Sequence, residues 1–313
     1  MGEDGSTVTQ ADLATAFTEH RPYLVGVGYR LTSTLADAED AVQEAWLRLA
    51  ALSPRDRAEI RDLRGWLTTV VGRLCLDKLR SATVRRERYV GPWLPEPLVT
   101  PLPGQPGEDP LDAVVRDDGV RMAALVVLDT LTPEQRVAFV MHDAFGVPFA
   151  EIADVLNCTT ETARQHASRA RKAVADADPP SRVELAEQQD LIRRFLAALA
   201  EADMDAIVAL LHPDVAVVGD GGGKARTTLH VVSGPDKVAR FTLGLMKQYG
   251  SGSLSGGRLV LVNGDLGMLS PGTPGDETHR PLDRRVTVIA VRDGLIATIY
   301  DVVNPDKLTR VPG

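Results

Sequence analysis

Glu161, Arg164, Gln165, Ser168, Arg169 and Lys172 recur at helical spacing, and as residue types they supply donors and acceptors for base edges and cations for phosphate oxygens. A second set, Arg64, Trp66, Arg73, Asp77, Lys78 and Arg80, lies in a stretch holding eight Lys or Arg against three acids between Arg61 and Arg88. Cations beside an aromatic ring are the ingredients for holding unstacked single-stranded DNA, although Trp66 reads equally well as a core residue. The third set is acidic: Asp37, Glu39, Asp40, Gln43 and Glu44 flank an apolar stripe of Val42, Ala45, Trp46 and Leu49. An acidic face beside a hydrophobic seam suits docking onto a basic partner helix; the alternative is a solvated face.

Residues suited to general-base chemistry also occur, namely His212, Asp214, Asp220, His279 and Asp301, but no spacing brings any two of them together. Asp220 and Lys224 bracket three glycines, Gly221, Gly222 and Gly223, which read either as a functional turn or as a surface hairpin loop. Cys75 and Cys158 have no cysteine or histidine at metal-binding spacing, so the expectation is two small core thiols in a reducing compartment, with no metal and no cofactor.

The elements that must position these sets follow from punctuation and period. Thr132, Pro133, Glu134 and Gln135 form a capping box with proline at the first helical position, which starts a helix that ends near Gly146. Pro148 opens a short helix with Ile152, Ala153 and Leu156 on one face. It stops at Asn157 and Cys158, and Thr159 or Thr160 caps a third helix whose Ala163, Ala167, Ala170 and Val174 allow close packing. Short helix, tight turn and longer helix make a helix-turn-helix. Residues 12–82 also carry helical period, and 91–110 are dense in proline and glycine, a partly stiff linker. Beyond Pro179 and Pro180 an amphipathic helix over about 184–202 precedes β-rich runs at 215–218, 258–262, 285–291 and 295–303. The expected architecture is multidomain. Two all-α domains, 12–90 and 111–178, are separated by the linker at 91–110 and followed by an α+β domain over 183–313.

The net charge of −8 over 313 residues excludes coating nucleic acid by bulk electrostatics, so DNA binding must come from local patches or be delivered by a partner. Residues 1–12 are acidic and polar, and no apolar run approaches the roughly 20 residues that span a bilayer, which predicts a cytoplasmic protein with no membrane attachment.

In this order, over residues 12–177, the three sets resemble the extracytoplasmic-function sigma factors, subunits that give core RNA polymerase its promoter specificity. The resemblance implies that residues 37–49, through Asp37, Glu39, Asp40, Gln43 and Glu44, clamp the coiled-coil of the largest polymerase subunit. It implies that residues 63–80 read the minus-ten element and 131–174 the minus-thirty-five element. Trp93, Leu94, Pro95, Glu96, Pro97 and Leu98, the Asp220 to Lys224 turn, and Asn304, Pro305, Asp306, Lys307 and Leu308 are similar to motifs of the subgroup with a fused SnoaL-like domain. That likeness implies a cone-shaped α+β domain that replaces a separate anti-sigma protein and acts as a regulator, not an enzyme. Trp93 and its neighbours are expected to pack near Asp220 and the C-terminal motif, and the cone to enclose a pocket able to hold a small-molecule effector.

Overall fold

The computed structural model describes residues 10–86, 89–102, 120–250 and 256–312. They fall into two compact units: Met1–Ala82 with Asp129–Ala173, and Thr83–Leu128 with Val174–Gly313. The linker's last stretch, residues 103–110, and the expected resumption of helix over 111–119 lie outside the described residues, as do residues 1–9.

In the first unit α1 (Gln10–Thr32) and α2 (Leu35–Ala51) form an antiparallel pair around a tight turn, with Ser33 at φ 59° and Thr34 capping α2 by accepting from the Asp37 N–H. Their approach is close: a Cβ on Gly28 would stand 2.9 Å from that of Ala38. Leu24, Val27, Leu31, Leu35, Ala41, Val42, Ala45 and Leu49 are buried. The apolar seam of α2, read from sequence as part of a docking face, is therefore used inside the unit, because α1 needs the same stripe to bury its own. Trp46 is half-buried against Phe17, with ring centroids 5.0 Å apart. A short α3 (Pro54–Ala58) leads to α4 (Leu63–Arg86).

The second part of this unit holds α6 (Pro133–Phe139), a π-helical turn (Val140–Ala144), α7 (Phe149–Leu156) and α8 (Thr160–Ala177); α5 (Met122–Leu128) precedes them in the chain but belongs to the other unit. The capping box is complete, since Gln135 N–H donates to Thr132 Oγ1 at 3.3 Å and Thr132 N–H to Gln135 Oε1 at 3.2 Å. Asn157 takes the left-handed conformation, φ 52°, that ends α7, and Thr159 caps α8 by accepting from Thr162 N–H at 3.1 Å.

The second unit is built on a seven-stranded sheet in the order β1-β4-β5-β6-β7-β2-β3. The strands are β1 (Val99–Thr100), β2 (Leu211–Asp220), β3 (Val232–Ser233), β4 (Arg258–Val262), β5 (Asp265–Ser270), β6 (Arg285–Arg292) and β7 (Leu295–Val302). Neighbours are antiparallel except β2 with β7. One face packs on α9 (Leu185–Ala200), α10 (Met204–Ala209) and α11 (Pro235–Tyr249) through Leu191, Phe195, Leu199, Val217, Val238 and Ile299. The opposite residues of the same strands, Val286, Val288, Tyr300 and Val302, gather Leu94, Met122, Ala123, Leu308 and Val311 on the other face, as strand alternation requires.

Four of the expected β runs are present, but β5 and α11 were not legible. Residues 265–270 lack β-branched side chains and include Gly267, whose Cβ would stand 2.7 Å from the Thr287 carbonyl oxygen and from Val262. The strand forms through that close approach, which a propensity reading counts against it.

Candidate functional site

The α8 side chains divide by face. Ala163, Ala167 and Ala170 are fully buried, so the helix sits close on its predecessors, while Glu161, Arg164, Gln165, Ser168, Arg169, Arg171 and Lys172 are exposed. Arg164 lies over the Phe149 ring at 5.7 Å, and Arg171 pairs with Asp143 at 2.7 Å; the rest of the face is open to a groove-sized partner.

On α2, Asp40 and Gln43 are exposed and Asp37, Glu39 and Glu44 half-buried. Leu47, 53% exposed, stands one turn beyond Gln43; sequence reasoning passed over it, although an outward leucine at i+4 from a polar face was a readable signal.

The acidic and basic sets meet. Lys78 on α4 donates to Asp37 at 2.8 Å and Asp40 at 3.3 Å. Burial alone would lower the Lys78 ammonium, but the bonds to Asp37 and Asp40 outweigh it and leave its pKa raised. Others on the same helix are also engaged: Arg80 with Glu134 on α6 at 2.9 Å, Arg73 with the Asp154 carbonyl at 3.3 Å, and Arg64 over the Tyr23 ring at 3.7 Å. Asp77 is exposed and Trp66 half-buried. At the middle of α4, a Cβ on Gly72 would stand 2.8 Å from Met141 Sδ, so α4 lies tightly on the π-helical turn. Fully buried Arg136 donates to the Arg30 carbonyl at 2.8 Å and pairs with Asp129, tying α6 to the end of α1. In this conformation α4 is clasped by the helices of the helix-turn-helix part. Cys75, in the same interface, has its thiol pushed up to about 12 by burial, which makes it an inert core residue.

The three motifs of the linker and C-terminal domain converge on one carboxylate. Asp220, with no exposed surface, accepts from Tyr89 Oη at 2.5 Å, from the Leu94 N–H at 2.8 Å and from Lys307 Nζ at 2.6 Å. Lys307 also donates to the Leu94 carbonyl and stands 3.7 Å from the Trp93 ring centroid. Asn304 donates to Tyr89 Oη at 2.7 Å, and its backbone N–H to the Asp220 carbonyl at 2.9 Å. Glycine is required at 222, where φ is +57° and a Cβ would meet Asn304 at 2.4 Å. Lys224 pairs with Asp306 at the surface. Pro95, Glu96, Pro97 and Leu98 are buried beyond Leu94, and Gly221, Gly223, Pro305 and Leu308 belong to the same turns. Burial, and then the bond to Asp220, push the Tyr89 hydroxyl well above its ordinary value, so it remains a donor.

Other anchors were not foreseen. β1 pairs with β4, Val99 opposite Val262, and Asn263 brackets it by accepting from Leu98 N–H at 3.1 Å and donating to the Val120 carbonyl at 2.8 Å. Arg121 meets Asp265 through two 2.9 Å contacts, with both side chains buried, and reaches the Pro180 carbonyl at 2.7 Å.

Of the general-base candidates, Asp301 lines the cavity of the C-terminal domain, whereas Asp220 is consumed in the linker network. Asp214 is exposed beside His212, and His279 pairs with Asp276 at 3.0 Å. Among the described residues no helix is long and apolar enough to cross a membrane, and no cluster of three or more metal-type ligands occurs.

A helical unit that carries an acidic face on α2, a row of cations on α4 and a helix-turn-helix, in one chain with an α+β cone domain, is the make-up of a promoter-specificity subunit. The sequence matches the family models of sigma-70 region 2 over residues 16–85, sigma-70 region 4 over 121–174 and the SnoaL-like domain over 192–299. It is 52% identical to the extracytoplasmic-function RNA polymerase sigma factor SigJ of Mycobacterium tuberculosis, over 93% of this chain and 92% of that protein. It is 38% identical to the probable sigma factor SigI of the same species, over 72% and 74% of the two chains. The crystal structure of the M. tuberculosis SigJ superimposes with a TM-score of 0.80 at 49% identity, covering 95% of this chain and 98% of that one. The chain belongs to the extracytoplasmic-function sigma factors and directs transcription initiation.

Proposed function

We propose that this sigma factor is governed by its own C-terminal domain, which holds the segment joining the two DNA-reading parts. The observation that carries the reading is the Asp220 network. A buried carboxylate matched by Lys307, Tyr89 and the Leu94 N–H fixes the linker near its start, and β1 extends the hold by adding a strand to the sheet. Asp37, Glu39, Asp40, Gln43 and Glu44 contact the largest-subunit coiled-coil of core polymerase. Arg64, Trp66, Arg73, Asp77, Lys78 and Arg80 contact the minus-ten element, and Glu161, Arg164, Gln165, Ser168, Arg169 and Lys172 the minus-thirty-five element. Because Lys78 and Arg80 are paired within the unit, polymerase and promoter must exchange these contacts for their own. The domain boundaries are those of the sequence, 12–90, 91–110, 111–178 and 183–313. The protein works in the cytoplasm without a separate anti-sigma factor and without catalysis, and the cone pocket receives an effector.

The test is run-off transcription with purified core polymerase, comparing the full chain with the Trp93→Ala, Leu94→Ala pair. A several-fold change in initiation at the same promoters is expected. Unchanged initiation with an unchanged linker footprint in hydrogen exchange would sink the proposal.

A further inference from the structure

The helix-covered face of the sheet encloses a cavity of about 650 Å³, within the range of small-molecule sites. Its polarity is graded along the strands. Phe195, Leu199, Phe241, Met246, Ile289 and Ile299 make one end apolar. One register step along β6 and β7, Thr287 faces Asp301, and Arg285 lies beyond.

At this polar end Asp301 accepts from Thr227, Thr287 and Arg285, each at 3.1 Å. The Arg285 and Asp301 side chains are 13% and 11% exposed. The carboxylate is matched by these donors, and the pair presents a dipole rather than a net charge. Among the described residues, two hydrogen bonds occupy two of the five N–H donors of Arg285, to Asp301 and to the Asp283 carbonyl. Burying a ligand charge against this neutral pair is costly, whereas a carbonyl or ether oxygen meets the remaining donors without that penalty; Arg226, the other cation of the lining, is exposed and leaves its charge to water.

The rim brings in the linker. Val90 and Leu229, 51% and 57% exposed, line the opening with Gly223. A Cβ on Gly223 would touch Val90 at 3.2 Å, and one on Gly91 would touch Leu229 at 3.7 Å. The chain thus forms part of the cavity wall at Val90, immediately before the linker and three residues before Trp93.

We propose that this cavity is a binding site for an uncharged, elongated apolar molecule ending in a hydrogen-bond-accepting oxygen, and that its occupancy steadies the linker through Val90. The proposal deepens the effector reading above and rests on it for the regulatory consequence, though not for the binding itself.

Nile red, uncharged and carbonyl-bearing, is the probe. Titrated into the full chain, it should give saturable fluorescence and slow hydrogen exchange over residues 89–98. Met246→Trp, which fills the cavity, and Leu229→Lys, an exposed rim change that leaves the core intact, should each weaken binding at least tenfold. 2-Undecanone should displace the dye at least tenfold better than undecanoate or undecylamine. No saturable uptake, or uptake indifferent to both variants, overturns the site; stronger displacement by undecanoate overturns the uncharged class. The same ketone in run-off transcription should alter initiation. Binding by these rules with unaltered initiation would uphold the site and overturn the effector reading alone.

Discussion

Asp220 is the residue on which the regulatory reading turns, because a carboxylate without solvent is tolerable only while its partners remain. Removing one member of a buried ion pair costs about 3–5 kcal/mol, most of it the penalty of the charge left behind. Lys307→Met should therefore lower the unfolding free energy of the C-terminal unit by about 3 kcal/mol in denaturant titration, whereas Lys224→Met, at the exposed pair with Asp306, should change it by less than about 1 kcal/mol. Tyr89→Phe deletes the charge-assisted bond to Asp220 together with the bond accepted from Asn304 and should cost about 1.5–3 kcal/mol. The sign of its pH dependence follows from the raised hydroxyl. The contribution is complete below the ordinary tyrosine value of 10.0 and is lost only as pH rises through the higher folded value. The Tyr89→Phe penalty should accordingly be flat between about pH 6 and about pH 9. A penalty that shrinks across that window would show that the phenol ionises there.

At the scale of elements, α4 carries two demands, close packing on the helix-turn-helix and a row of cations that the proposed function assigns to DNA. Arg136 is the larger anchor, being fully buried, so Arg136→Ala should destabilise the first unit by about 3 kcal/mol or more. Arg80 with Glu134 is a surface clasp worth about 0.2–1 kcal/mol. Burial would raise the Glu134 carboxyl, but its backbone N–H bond and the Arg80 guanidinium hold it below the usual carboxylate range. Its contribution is present above the ordinary value of 4.5 and fades as pH falls through the lowered one. The stability difference between the protein and its Glu134→Gln variant should vanish under strong acid and shrink with salt; a difference that grows on acidification would contradict the assignment. What was legible in these elements was local. The Thr132 capping box, the proline at 133 and the alanine stripe of α8 each declare themselves within a few residues. The clasp of α4 was not legible, since Arg80 and Glu134 are 54 residues apart and their charges read equally well as solvated faces. The linker anchors were hidden for the same reason: Tyr89, Arg121 and Asn263 find partners 131, 144 and 165 residues away, and no periodicity points across such distances. The motif triplet of Trp93, Asp220 and Lys307 was found by its likeness to a family, and the chemistry that joins it emerged only when the side chains were placed.

On the scale of the whole molecule, connectivity gives the C-terminal domain its leverage. The chain leaves the first unit after Ala82, passes through the second as far as Leu128, returns at Asp129 and crosses again after Ala173. The described ends of the segment joining α4 to the helix-turn-helix, residues 89–102 and 120–128, thus belong to the C-terminal unit, fixed by Leu94, β1 and Arg121. Under the proposed function, loosening it changes the freedom with which the proposed DNA-reading parts can separate, without touching a residue proposed to contact a base. The net charge of −8 fits this arrangement, because a subunit delivered to the promoter by polymerase has no need of general affinity for DNA.

The most direct measurement is a double-mutant cycle in run-off transcription with core polymerase, using Leu94→Ala, Lys307→Met and the two together at one promoter. If control passes through the linker network, each single change shifts initiation several-fold in the same direction, and the double variant matches the larger single effect. Independent, additive shifts, or initiation untouched by either change, would contradict the account.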